Sequence, residues 1–124
     1  MRGTLLAVGI GGAVGTGARI GLSLTALQML PDAAFIATLA ANVLGAALIG
    51  YLATRPLRPI AAALLMTGFC GGFTTFSLFS LEVLVLLERS IFAAVAYGVA
   101  SVVLWIGAAA LGYRLGQGQR TART

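Results

Sequence analysis

The chain has 124 residues, 60% of them hydrophobic and only 9% charged, with a net charge of +5. That balance excludes an ordinary soluble domain of this size; four apolar segments, each long enough to cross a bilayer of roughly 30 Å, take up nearly the whole chain and leave nothing for a soluble catalytic or binding domain. With no lysine and no histidine there is no lysine-dependent phosphate loop, no HExxH metal site and no Ser-His couple.

The expectation is therefore one domain, all-α, integral to a membrane and multi-pass, with spans of about 4–27, 35–53, 60–87 and 91–115 and a frayed tail over 116–124. The first apolar stretch is too long for a cleavable signal peptide, contains Arg19 and is followed directly by a second span. The basic residues lie mostly in loops and tails, where a positive-inside topology explains them without nucleic acid. Cys70 is the single cysteine, which rules out an intrachain disulfide and a thiolate-rich metal site.

In segment one, Gly9, Ala13, Gly17 and Gly21 fall four apart, as do Gly11 and Gly15 on a neighbouring face. Both rows have the small-xxx-small spacing that lets another helix approach closely. Arg19 continues the Gly11-Gly15 row. An intramembrane arginine costs about 2.5–3.5 kcal/mol on insertion scales unless paired, hydrated or snorkelling, so Arg19 is either an interfacial anchor or a residue that attracts anions. A short turn with Pro31 and Asp32 leads to segment two, whose Thr38 and Asn42 share a helix face as i and i+4. They form either an interhelical hydrogen bond or part of a permeation path. The prolines of Thr54 to Pro59 end that helix and permit the next.

Segment three contains Gly68 to Ser80, GFCGGFTTFSLFS, a mixture that a continuous span avoids. Gly71-Gly72 lowers helix propensity by about 1 kcal/mol per residue, and Thr74, Thr75, Ser77 and Ser80 compete for backbone bonds. Backbone released at membrane depth survives only where protein or a wet cavity satisfies it. The sequence thus predicts a third helix broken near its middle, with Ile60 to Phe69 and Phe76 to Leu87 as half-helices and the break as the functional site. The first half turns the negative end of its dipole to the break and the second its positive end. Phe76 and Phe79 lie three apart beside it, either as packing or as positive ring edges turned to an anion. In segment four, Tyr97 and Ser101 make a second hydroxyl stripe, and Trp105 reads as packing. Of the carboxylates Asp32, Glu82 and Glu88 only Glu82 lies within a span, with no partner in the sequence for an acid/base couple. The chain is not expected to be an enzyme; the inventory suits movement of a small ion.

From Gly68 to Glu82, GFCGGFTTFSLFSLE resembles the third-helix signature G-x-x-G-G-x-T-T-F-S-T-F of the CrcB/Fluc fluoride channels. The glycine-rich first helix ending in Arg19, the T-x-x-x-N-x-x-G of Thr38, Asn42 and Gly45, and Tyr97 with Ser101 extend the resemblance to all four spans. It departs at Leu78, where the family usually has Thr, at Phe73 for Leu, and at Ile20, where Tyr is common. The resemblance implies passive export of fluoride across a bacterial inner membrane through a dimer of four-helix subunits in opposite orientations, either an antiparallel homodimer or a pairing with an inverted sister subunit. It implies a central structural Na+ held by the main-chain carbonyls of Gly71 and Thr74. It also implies fluoride pores lined by Phe76, Phe79 and Asn42, with Ser77, Ser101 and Thr38 on a polar track, Tyr97 beside it, and Arg19 in the vestibule; Glu82 matches a family position whose role stays open. Two other classes compete: a small multidrug-type exporter, which relies on a carboxylate that segment one lacks, and a non-transporting assembly subunit, which would not need polar stripes on three helices.

With four spans, Arg2, Arg55, Arg58, Arg114, Arg120 and Arg123 share one side and only Arg89 lies opposite. This bias points to cytoplasmic termini, whereas a dual-topology homodimer favours balanced loops. Terminal tags in intact cells decide between the arrangements. Tags reachable from both faces are the expected result for the homodimer; tags found only inside, with no flux from the protein alone, identify a missing partner.

Overall fold

The computed structural model describes residues 1–29 and 34–121. Its helices are α1 (Arg2–Met29), α2 (Ala34–Leu52), α3 (Pro59–Ala62), a π-helical stretch over Ala63–Cys70, α4 (Gly71–Phe73), α5 (Phe76–Arg89) and α6 (Ile91–Thr121). From Pro59 to Phe73 the pieces form one rod, because Ala62, Ala63, Cys70 and Gly71 all keep right-handed helical angles where one piece passes into the next. Four helical units are long and apolar enough to cross a membrane: Arg2–Met29, Ala34–Leu52, Pro59–Arg89 and Ile91–Gln119. Asp32 and Arg123 lie outside the described residues, and with them the predicted turn around Pro31.

Local chemistry explains the ends. Pro59 opens its helix at a first-turn position, where its missing N–H is no loss. Ser90 is extended, closes α5 with its N–H on the Leu86 carbonyl, and starts α6 with its hydroxyl accepting from the Ala93 N–H. Where the sequence predicts fraying from residue 116, α6 instead stays helical to Thr121. Contacts with the end of α2 and the turn after it account for the difference: Gly116 packs on the Thr54 side chain, and Gln119 accepts hydrogen bonds from Tyr51 and Arg55.

The bundle is small inside and bulky outside. Ala7, Ala37, Ala41, Ala63, Cys70 and Ala94 are buried, while Leu5, Phe92, Ile106 and many other large apolar residues face outward. In lipid, packing rather than expulsion from water draws helices together, so small residues belong at the contacts. α1 lies along the third rod and α2 along α6, and α5 also packs on α6. At the first contact a methyl group added to Gly11 would lie 2.1 Å from the Leu64 carbonyl oxygen, and one added to Gly72 would lie 2.4 Å from that of Gly12. At the second, Gly112 meets Ala47 and Gly50 meets Ala109 with equal closeness.

Of the two glycine rows of segment one, only Gly11-Gly15 packs within the chain. Gly9, Gly17 and Gly21 are exposed and have no neighbouring atom within 4 Å of an added methyl group. The third rod covers one face of α1, and the rows lie on different faces. Gly11→Ala is expected to destabilise the protein by about 1–3 kcal/mol, since backbone and not a flexible side chain must give way. Gly107→Ala, which meets no atom within 4 Å, is expected to be neutral or stabilising by up to about 1 kcal/mol. Thermal unfolding in detergent compares the two.

Candidate functional site at the break in the third span

The break falls at Thr74-Thr75, with φ and ψ of −80° and 156° at Thr74 and −148° and 120° at Thr75. Gly71-Gly72, within the predicted interruption between Phe69 and Phe76, stays helical. Gly72 instead gives α1 its close approach, and extended angles are ones that β-branched threonine adopts readily. The preceding π-helical turns add a further departure from a regular span, of a kind that often marks functional sites.

Asn42 of α2 holds the break open. Its Oδ1 accepts from the Thr75 N–H at 2.7 Å and its Nδ2 donates to the Thr75 carbonyl at 2.9 Å. The two bonds mimic a strand pairing and satisfy both main-chain groups of one extended residue. Gly45 lets α2 come this close, because a methyl group there would lie 2.3 Å from the Thr74 side chain. Thr74 closes the upstream helix by donating its hydroxyl to the Cys70 carbonyl at 2.9 Å. Thr75 caps α5, its hydroxyl oxygen accepting from the Leu78 N–H at 3.3 Å.

These bonds release carbonyls. The amide that would bind the Gly71 carbonyl in a regular helix, that of Thr75, is on Asn42; the one that would bind Thr74, that of Leu78, is on the Thr75 hydroxyl. The Gly72 carbonyl is met from α1 by the Thr16 hydroxyl at 3.3 Å and Arg19 Nε at 3.4 Å. Arg19 is thus a half-buried cation beside the end of α4.

A second cluster centres on Glu82, which is buried. Its two carboxyl oxygens accept from the Thr38 hydroxyl and the Tyr97 hydroxyl, each at 2.5 Å. Thr38 and Asn42 thus share a stripe but serve different partners, and the carboxylate that lacks a partner in sequence has two in space. The Tyr97 hydroxyl also lies 3.5 Å from the Phe35 carbonyl, but its single hydrogen is better placed for Glu82.

The aromatic rings separate by exposure. Phe79 is buried, with ring centroids of Phe76, Tyr97 and Trp105 at 5.4, 5.6 and 4.7 Å. Phe76 is 69% exposed, turned away from its own bundle. Ser77 is exposed, its hydroxyl 3.2 Å from that of Thr75. Ser101 is fully buried, close enough to Tyr97 to interact with it but without a hydrogen bond of normal geometry. Trp105 Nε1 is also buried without a hydrogen-bond partner among the described residues. A cavity of about 360 Å³ opens beside the break, with Asn42, Gly71, Thr74, Thr75, Phe76 and Trp105 on its walls.

The predicted site residues thus form three groups: Asn42, Gly71, Thr74, Ser77 and Arg19 around the break; Phe76 and Phe79 at the start of α5; and Thr38 and Tyr97 on Glu82, with Ser101 beside Tyr97. Trp105, which the sequence reads as packing, meets Phe79 edge to face at 4.7 Å; what sequence reasoning missed is the capping role of Thr75. Asn42→Ala leaves both groups of Thr75 unpaired and is expected to cost about 2–4 kcal/mol. It should speed hydrogen exchange at the Thr75 and Leu78 amides, with Asn42→Asp intermediate because it keeps the acceptor and loses the donor.

Comparison with known proteins agrees with this architecture. Residues 6–113 match the family described as CrcB-like protein, Camphor Resistance (CrcB). The chain is 38% identical over 122 residues to a fluoride-specific ion channel FluC of Paracoccus denitrificans, covering 95% of this chain and 98% of that one. It is 41% identical over 115 residues to fluoride-specific ion channel FluC 2 of Rhodococcus jostii, covering 90% and 97%. A fluoride-specific ion channel FluC of Azotobacter vinelandii is 47% identical over 93 residues, 71% of this chain and 75% of the relative. The names are those of ion channels, not enzymes. A match across all four spans, around a third span broken at Thr74-Thr75, makes this multi-pass membrane protein a member of the CrcB/Fluc family.

Proposed function

We propose that the protein is a subunit of a fluoride-selective channel that releases fluoride passively from the cytoplasm across a bacterial inner membrane. The carrying observation is the break held by Asn42, with Phe76 and Phe79 on the first turn of the helix that follows it. That turn brings the positive end of a helix dipole and aromatic ring edges of positive charge density to one place. Ser77 adds a hydroxyl donor there, and Asn42 keeps a second amide hydrogen beyond the one given to Thr75. The names of the bacterial relatives supply the identity of the ion.

Arg19 raises the local concentration of anions at the mouth. Ser101 is a further donor along the path. Thr38 and Tyr97 act through Glu82: a bare buried carboxylate would repel a passing anion, and their hydroxyl hydrogens occupy its oxygens. The functional unit is an antiparallel homodimer or a pair with an inverted sister subunit. Phe76, 69% exposed on a single chain, has its ring in the right place to line a pore completed by a second subunit.

A central Na+ fits the donors present. The carbonyls of Gly71 and Thr74 have lost their helical partners, and Gly71 faces open space. Hard oxygen ligands of this kind suit an alkali cation, and no group of three or more His, Cys, Asp or Glu competes for a metal among the described residues. One chain offers only about half a shell, so the ion would sit on a two-fold axis between subunits.

Liposomes containing the purified protein test the reading. Fluoride release far faster than chloride release is the expected result; equal or absent flux refutes it. Phe79→Ile keeps bulk and removes the quadrupole, and fluoride flux should fall by about tenfold or more, the rate equivalent of at least 1.4 kcal/mol. Replacing Na+ by a bulky organic cation should weaken the dimer and its flux.

A further inference from the structure

Tyr97, Ser101 and Trp105 stand four apart on α6 and share one face. The hydroxyl hydrogen of Tyr97 is on Glu82. The other two carry the buried side-chain polar atoms that have no hydrogen-bond partner among the described residues, Ser101 Oγ and Trp105 Nε1. An indole nitrogen donates and never accepts, so neither a cation nor another donor can pair it; it requires an acceptor. Because this chain's own atoms enclose it, a second subunit docking from outside does not reach it; an acceptor has to be small and to enter from the cavity that the indole lines, with the side chains giving way.

The neighbours of Trp105 say which acceptor. The indole lines the same cavity as Asn42, Thr75 and Phe76. Its ring meets Phe79, the buried ring beside the break, edge to face at 4.7 Å and 73°. We propose that the Trp105 indole N–H is a hydrogen-bond donor to the permeating anion, forming with the Ser101 hydroxyl and the edge of Phe79 a dehydrated subsite on α6. This rests on the channel reading above and adds to it a specificity-determining residue. A donor-only group on a rigid ring favours the halide that accepts hydrogen bonds most strongly, fluoride, over chloride.

Trp105 is the chain's single tryptophan, so its emission reports this one place. Titrating the purified dimer with fluoride at fixed Na+ and ionic strength should give a saturable change in emission that equal chloride does not. No fluoride-dependent change overturns the inference. In liposomes, Trp105→Phe keeps an aromatic ring against Phe79 and removes only the donor. Fluoride flux is expected to fall by about tenfold or more, as for one lost hydrogen bond to an ion, with the dimer's elution unchanged. Undiminished flux from that variant overturns the role of Trp105 while leaving the channel intact, whereas wild-type liposomes that release no fluoride overturn both. Should Trp105→Phe fail to fold, the wild-type titration, which needs no variant, decides.

Discussion

One side-chain amide sets the geometry of the whole site. Asn42 binds the N–H and the carbonyl of Thr75, and an extended pair of residues in the middle of a span is viable only with such a partner, since lipid offers the backbone none. Without those bonds the N–H and the carbonyl of Thr75 would both lie unpaired in the middle of a span. The direction of both rings, the dipole of α5 and the released carbonyls all follow from two hydrogen bonds made by another helix.

Those bonds depend in turn on how closely backbones approach. Gly45 leaves room for Thr74 beside α2, and Gly11 and Gly15 let α1 lie against the third rod so that Thr16 and Arg19 reach the Gly72 carbonyl. A protein of small buried residues gains little from burying apolar area. Its stability comes from dispersion at these close contacts and from polar groups that find each other where water cannot intervene. The polar groups divide between those that hold the structure and those left unpartnered. Asn42 is engaged by Thr75, and Thr38 and Tyr97 by Glu82, while Ser101 Oγ and Trp105 Nε1 have no partner among the described residues.

The exposure of Phe76 beside the buried Phe79 has a consequence for assembly. Two rings three residues apart on one helix turn through nearly a full revolution, yet one packs against Tyr97 and Trp105 while the other points out of the bundle. A ring so placed at the edge of a cavity in a membrane protein faces either lipid or a second copy, and Gly71, which lines the same cavity, is exposed as well.

Much of this protein is legible in its sequence because membrane chemistry is demanding. Long apolar runs without charge mean spanning helices, and hydroxyls and glycines clustered in one of them mean a break, since no other element is stable in lipid. The motif from Gly68 to Glu82 names the family for the same reason: few sequences can interrupt a span safely. Tertiary structure decided the rest. Within the interruption that the sequence predicts between Phe69 and Phe76, the break narrows to Thr74-Thr75 because the partner that holds it, Asn42, is 33 residues away in sequence, and local propensity carries no information about that. Of two equivalent glycine rows in α1 only one packs, because only the neighbouring rod selects a face. Glu82 reads as an isolated carboxylate in the sequence and is the hub of Thr38 and Tyr97 in space, since a hydrogen bond depends on distance between atoms and not on spacing along the chain.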